Sequence, residues 1–172
     1  MAKSDSFFIR ANVVVDNTNT FQDTTIDLGA YVDALGKSVL RIHNAAVSVT
    51  DDGGRAFQVD HNSDSAAVNY QLTTQKQSDI VLASDKSIIA SGLLTAINQF
   101  SSDEFPQLYH DADVLPQQWT NGYLIATENI YLGGSGSTGL VAADNVTVSI
   151  VLECTVETMS QAAAMALALS QQ

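Results

Sequence analysis

Cysteine, proline and cationic side chains are all scarce in this chain of 172 residues. Its single cysteine, Cys154, excludes an internal disulfide and any zinc site built from several cysteines. Seven Lys and Arg residues stand against 19 Asp and Glu, which gives a net charge of −12, and the cations are scattered singly. We therefore expect no direct binding of nucleic acid phosphates and no charge-driven docking on an anionic membrane.

Long apolar runs are missing as well. No stretch approaches the roughly 18 apolar residues of a membrane-spanning helix, and the first residues lack the apolar core of a signal peptide. The apolar fraction of 45% is nevertheless ordinary for a globular chain, and this length can bury a substantial core. The sequence predicts one domain over residues 1–172 that is synthesised in a cytoplasm.

Several segments carry apolar side chains at every second position, the pattern of strands with one face on a core. The first of these segments is Ser6–Asp16, and the last is Val146–Val156. Cys154 lies on the apolar face of the last segment, where we expect a buried and inert thiol. Within Val39–Thr50 the apolar parity changes, which predicts a β-bulge near Asn44 or a strand that passes between sheets.

Other strands and turns are predicted from residue type. Asp51-Asp-Gly-Gly predicts a hairpin turn, and the glycine-rich segment 133–139 predicts a flexible loop between two strands. No lysine accompanies these glycines and a strand follows them, so a phosphate-binding loop is not expected. The other predicted strands are Phe21–Asp27, Ala56–Val59, Val68–Leu72, Ile80–Leu82 and Gly122–Leu132.

Short internal helices are predicted in two places. Leu28–Leu35 has apolar residues at helical spacing, with Gly36 where a helix would end. Asp85–Phe100 has Ile residues and a Leu spaced four apart, although Gly92 and neighbouring β-branched residues oppose a helix there. Together these elements predict a mainly β protein: an antiparallel β-sandwich or jelly roll with one or two short helices and a short C-terminal helix.

Residues 158–172 are predicted to form a C-terminal helical tail. Thr158 and Gln161 match a T-x-x-Q capping pattern, and residues 162–169 are apolar on nearly every side of a helix. Such a helix needs a covering surface, either the open end of its own sandwich or a neighbouring subunit. The candidates for a subunit interface are Met159, Ala162, Met165, Leu167 and Leu169.

Three segments are candidates for binding or chemistry. Asp60–Ser65 resembles the first half of a calcium loop, but its sixth position is not glycine, so a solvated loop is favoured. His110–Asp113 supplies one imidazole and two carboxylates without the spacing of a metal or catalytic motif. Trp119 and Tyr123, with Phe105 and Tyr109 nearby, suit either an aromatic platform for a sugar or a partner or packing in the core, and core packing is favoured. The sequence predicts no enzyme, no cofactor and no metal site.

The size of the chain and the character of its strands resemble a single-jelly-roll capsid protein of the tailless icosahedral viruses of archaea and bacteria. The resemblance is carried by Phe7–Val15, by the strand with changed parity at Val39–Val49, and by Tyr123–Leu132 leading to Val146–Val156. It implies a coat subunit in the virion whose partners are copies of itself and other capsid proteins.

The amino-terminal residues carry one lysine rather than the basic arm of coat proteins that bind genomes. A shell over an internal membrane, or genome contacts made by other proteins, fits that departure better. Two other readings stay open: a carbohydrate-binding or lectin-like β-sandwich, and a surface or filament subunit.

Overall fold

A computed structural model describes residues 5–33, 37–57, 59, 65–97, 107–109, 119–140 and 145–172. Within them the chain forms nine strands and one α-helix. The strands are β1 (Phe7–Val15), β2 (Gln22–Asp27), β3 (Ser38–Asp51), β4 (Ser65–Thr73), β5 (Ile88–Ile97), β6 (Gln107–Tyr109), β7 (Tyr123–Ile125), β8 (Asn129–Gly136) and β9 (Val146–Thr158). Helix α1 spans Gln161–Ser170.

The strands form two antiparallel sheets that pack as a sandwich. One sheet has the order β1-β9-β3-β7, and the other has the order β2-β8-β4-β5-β6. The chain passes to the opposite sheet after β1, β2, β3, β6, β7 and β8, so most neighbours in a sheet are distant in sequence. Without the three-residue strand β6, this is the strand order of an eight-stranded jelly roll. The predicted fold class is confirmed.

The core lies between the sheets and is filled by alternate residues of the long strands. In β1 the odd-numbered residues face inwards, with Val13 and Val15 buried, while Phe8 and Val14 face outwards. Cys154 on β9 is fully buried, as predicted. Burial, with a smaller contribution from the Glu153 carboxylate, raises the pKa of Cys154 to about 12, so its thiol stays protonated at neutral pH.

The change of parity in β3 is a β-bulge, as predicted. The register with β9 shifts between Ile42 and Asn44, which leaves His43 outside the regular ladder. The extra residue lets Ile42 before the bulge and Ala45 after it both face the core. The His43 ring nitrogen Nε2 lies 2.8 Å from the Thr155 hydroxyl, so the displaced side chain has a partner on β9.

The predicted glycine loop is largely wrong, because Gly133–Gly136 is the second half of β8. These glycines pair with β2 and β4 and allow close packing. A Cβ atom at Gly133 would overlap the Phe21 ring, and one at Gly136 would overlap the Asp16 carbonyl. The predicted strand Gly122–Leu132 is also divided, because β7 and β8 belong to different sheets.

The internal helix predicted over Asp85–Phe100 is wrong: most of that segment is β5. A helix there would have to bury Leu93, which is exposed, and would break the pairing with β4. The Tyr70 ring of β4 lies where a side chain at position 92 would be, so Gly92 serves the sheet. Ile89 lies at a register shift opposite Leu72 and Thr73, which brings it into the core and disguises the strand's alternation.

The helix predicted over Leu28–Leu35 is a single turn within its described residues. The Val32 N–H donates to the Leu28 carbonyl at 2.9 Å, and both side chains are buried. The turn directs two apolar residues into the core without continuing as a helix. Helical spacing over so few residues therefore indicated two buried positions, but it did not indicate a helix of several turns.

The turn predicted at Asp51 exists, but it does not form a hairpin between paired strands. The Arg55 N–H donates to the Asp51 carboxylate at 2.6 Å, and the chain then crosses to the other sheet. Among the described residues of the strand predicted over Ala56–Val59, only Val59 makes a bridge, to Leu140. The strand predicted over Ile80–Leu82 is absent, and these residues lie in a loop.

Candidate functional site and assembly surfaces

Helix α1 begins two residues later than the capping pattern predicted. Thr158 is the last residue of β9 and pairs with Ser38, so it is unavailable as a helix cap. Ser160 takes this role, and its hydroxyl accepts a hydrogen bond from the Ala163 N–H at 3.3 Å. The helix therefore follows the strand after a short connection and turns back onto its own sandwich.

One side of α1 packs within the subunit. Ala164 and Ala168 are buried against Val39 of β3 and Ala126, which follows β7. Met159, Leu124 and Leu167 are partly buried around this small cluster. Alanine side chains let the helix approach the sandwich closely. The tail therefore covers an end of its own sandwich on this side, and two of the predicted interface residues, Met159 and Leu167, take part in that packing.

The other side of α1 carries the remaining three predicted interface residues. Ala162, Met165 and Leu169 are exposed and lie one turn apart along one face, which we call the outer helix stripe. Met165 is 43% exposed and Leu169 is 70% exposed. The helix thus has an internal side and an apolar external side, and an intersubunit role for the latter stays a prediction.

Gln171, just after α1, closes the outer edge of β7. Its side-chain oxygen accepts from the Ala126 N–H at 3.0 Å, and its amide nitrogen donates to the Leu124 carbonyl at 2.7 Å. One side chain therefore makes the pair of hydrogen bonds that a neighbouring strand would make. The Gln171 carbonyl also accepts from the Thr74 hydroxyl at 2.9 Å.

A bidentate ion pair holds the same edge of the sheet. The Arg41 Nε and Nη2 groups donate to the two Glu157 carboxylate oxygens at 2.7 and 2.8 Å, and Arg41 Nη1 donates to the Asn121 carbonyl. The hydrogen bond to Glu157 raises the pKa of Arg41 against the opposing effect of burial. This pair ties β3 and β9 to the turn before β7. No pattern in the sequence identified either Arg41 or Gln171, because their partners are distant along the chain.

The opposite edge of this sheet is β1, which pairs only with β9 among the described residues. Its outward side chains include Phe8, 54% exposed, and Val14, 47% exposed. Arg10 lies between them, with its guanidinium carbon 5.6 Å from the centre of the Phe8 ring. The strand has no acidic residue, proline, lysine or register shift. We call this the β1 edge.

The outer face of the sheet beside the β1 edge is nearly uncharged. We consider the paired positions across β1, β9 and β3 from Phe8–Glu153–Asn44 to Val14–Thr147–Thr50. The only charged outward side chains at these positions are Arg10 and Glu153. A neutral face is notable because the whole chain has a net charge of −12. The remaining residues are small or polar and uncharged: Asn12, Asn44, Ala46, Ser48, Thr50, Thr147, Ser149 and Val151.

The predicted calcium loop and histidine cluster do not contribute to a described site. Asp60–Asp64 and His110–Asp113 lie outside the described residues, as does Phe105. Within the described ranges, no group of three or more His, Cys, Asp and Glu side chains could hold a metal ion. The preference for a solvated loop over a calcium site at Asp60–Asp64 therefore stays a prediction.

The predicted aromatic pair is close together, with 5.6 Å between the ring centres of Trp119 and Tyr123. Both rings are partly buried and pack against the main core. Burial raises the pKa of the Tyr123 hydroxyl, while a hydrogen bond with the Gln171 side chain acts in the opposite direction. The pair is therefore joined to the closed β7 edge, which favours the packing role over a sugar platform.

No helix in the described part of the chain is both long enough and apolar enough to cross a bilayer. The sequence matches no protein-family model and no curated protein. The β-sandwich is thus established from the strand pairing, and no family is identified.

Proposed function

We propose that this chain is a structural subunit that self-assembles as a coat protein of a virion. The observation that best supports this proposal is the pairing order of the two sheets, β1-β9-β3-β7 and β2-β8-β4-β5. Jelly rolls with this order occur in viral capsid proteins, and also in lectins and cupins. Because one fold serves several functions, the surfaces must distinguish between them.

Three surfaces support self-association. The outer helix stripe exposes apolar side chains, the outer face beside β1 is nearly neutral, and the β1 edge leaves main-chain groups without a neighbouring strand among the described residues. Exposed apolar groups and unblocked sheet edges are features of surfaces that bind other protein chains. The proposed partners are copies of this chain and other coat proteins, with genome contacts made by other proteins or across an internal membrane.

The decisive measurement is the assembly state of the purified protein by size-exclusion chromatography with light scattering and by electron microscopy. We expect closed shells or regular arrays. Salt should promote them, because it screens the repulsion between subunits of net charge −12. A monodisperse monomer at every protein and salt concentration would contradict the proposal. Filaments in place of shells would instead assign the chain to a surface or filament structure.

The contribution of the outer helix stripe is tested with the double variant Met165→Lys and Leu169→Lys. Both side chains are exposed, so we expect the variant to fold normally and to assemble poorly. Leu82→Lys is the control for adding a lysine at another exposed apolar site, because Leu82 is 80% exposed and lies outside α1. Equal assembly of the two variants would limit α1 to its internal packing role.

The carbohydrate-binding alternative is supported by the partly exposed Trp119 and Tyr123. A glycan screen with the intact protein tests it directly. Specific glycan binding by a stable monomer, quenching the fluorescence of the single tryptophan, would favour this alternative over the coat protein.

A further inference from the structure

Among the described strands four lie at sheet edges, and β1 differs from the other three. β6 and β7 each have three residues, and the β7 edge is closed by Gln171. β2 carries Asp23 and Asp27, so a strand of this acidic protein would meet like charge there. β1 is nine residues long and regular, and its only charged residue is Arg10. Protein edges that avoid pairing are usually short, charged, bulged or covered, and within the part of the chain that the structure describes β1 has almost none of these protections.

The order of side chains along β1 is complementary to itself in the antiparallel direction. A two-fold axis at Ala11, the central residue, places Phe8 opposite Val14 of a second copy and Arg10 opposite Asn12. The two most exposed apolar side chains of the strand would then cover each other on the outer face. On the inner face Phe7 meets Val15 and Ile9 meets Val13, which would extend both cores across the junction.

The main chain suits this register as well. Opposite residues in it have the same parity, so the alternate N–H and C=O groups that face away from β9 face their counterparts in the second copy. Little charge opposes this register along the strand, because β1 contributes no carboxylate and its one cation, Arg10, is only a diagonal neighbour of Arg10 in the second copy. Only its ends bring acidic residues together, Asp5 of one copy near Asp16 of the other, which makes the pairing stronger at higher salt.

We propose that β1 pairs antiparallel with β1 of a second copy around a two-fold axis at Ala11, joining two four-stranded sheets into one continuous sheet. This inference rests on the proposed self-assembly and specifies one of its contacts. It assigns the β1 edge to a two-fold contact between copies, whereas the outer helix stripe is left for other contacts.

The register is tested by disulfide cross-linking of two single variants, Arg10→Cys and Asn12→Cys, mixed in equal amounts under mild oxidation. Residues directly opposite are within disulfide reach, whereas like positions are diagonal neighbours about 7–8 Å apart. We expect the product that joins position 10 to position 12 to exceed each like-with-like product about tenfold. Mass spectrometry distinguishes the three dimers, because the two variants differ in mass.

Two controls define the background of this experiment. The unaltered chain should not cross-link, because Cys154 is fully buried and its thiol has a pKa of about 12. Leu82→Cys places a thiol at another exposed apolar site and measures random collisions. Both substituted residues of β1 are exposed, so circular dichroism and thermal unfolding should show native folding of each variant.

The outcomes separate this inference from the proposed function. Predominance of the mixed product supports β1 pairing, even if only discrete dimers and no larger assemblies form, a result that would count against a coat protein. Equal yields of all three products would overturn the register. Shells that form without the mixed product would overturn β1 pairing and leave the proposed function standing. A monomer without cross-links would overturn both.

Discussion

The two edges of the four-stranded sheet differ in what happens to the main-chain N–H and C=O groups that face away from the sheet. At β7, the Gln171 amide binds the Leu124 carbonyl and the Ala126 N–H, and the Arg41–Glu157 pair secures the neighbouring strands. At β1, a regular apolar strand has β9 on one side and no described strand on the other. An edge whose hydrogen bonds are satisfied internally stabilises the subunit, while an edge left open is available to another chain.

This difference also distinguishes the two parts of the tail. Gln171 and the inner side of α1 belong to the closed edge, because they pack on β3 and on the residues after β7. The outer helix stripe faces away from that packing and resembles the β1 edge in being apolar and exposed. Substitutions at the two edges should therefore affect different properties: folding stability at β7 and association at β1.

The largest effect is expected on the free energy of unfolding when Arg41 at the closed edge is replaced, and Arg10 at the β1 edge provides the comparison. Arg41→Ala should lower the free energy of unfolding by about 3 kcal/mol, because it leaves the Glu157 carboxylate, with a side chain 2% exposed, without its bidentate partner. Arg10→Ala at the exposed β1 edge should change it by no more than about 0.5 kcal/mol. Urea unfolding followed by Trp119 fluorescence, under conditions that keep the protein monomeric, measures both. Equal destabilisation would contradict the distinction between closed and open edges.

The next largest effect is expected at the Gln171 side-chain amide, which makes the hydrogen bonds that a neighbouring strand would make with β7. Gln171→Ala should destabilise the fold by about 2 kcal/mol, because it removes two hydrogen bonds from partly or fully buried main-chain groups. Gln172→Ala is the matched control, since Gln172 is exposed and its hydrogen bond with Lys86 uses the main-chain oxygen, which the substitution keeps. Gln171→Glu should destabilise the fold at least as much as Gln171→Ala, because it places a carboxylate at a buried position and turns one acceptor oxygen towards the Leu124 carbonyl. Thermal unfolding that is the same for both alanine variants would show that β7 does not need this closure.

The smallest effect should be confined to association. Phe8→Lys introduces a common blocking residue at the β1 edge and should weaken self-association about tenfold, equivalent to about 1.4 kcal/mol, with unfolding unchanged. Thr25→Lys on the exposed side of β2 is the control and should have little effect. Analytical ultracentrifugation over a range of concentrations measures both. If Thr25→Lys weakened association as much as Phe8→Lys, association would not depend specifically on the β1 edge.

Local patterns predicted the elements whose residues alternate cleanly. β1 and β9 have apolar residues at every second position and occur within a few residues of their predicted bounds, and the parity change in β3 correctly placed its bulge. The helix in residues 158–172 was also predicted, although Ser160 rather than Thr158 caps it. These features depend on neighbouring residues, which is why periodicity and residue type were sufficient.

Glycines and apolar residues spaced four apart were misleading, because the secondary structure that they adopt here depends on strands distant in sequence. Gly133 and Gly136 suggested a loop, yet they are strand residues on which Phe21 and Asp16 pack closely. Ile89, Leu93 and Ile97 suggested a helix, yet the bulge opposite β4 disguised a strand. In both cases the pairing strand decided the structure, and no local pattern specifies that partner.

By itself, then, the sequence determined that this chain is a mainly β protein with a charge of −12, a buried cysteine on its last strand and an apolar tail. Only the tertiary structure decided which strand became an open edge, which edge Gln171 closed, and which side of α1 remained exposed. The reason is that an edge is defined by the strands beside it, and in this fold those neighbours are brought together from distant parts of the chain.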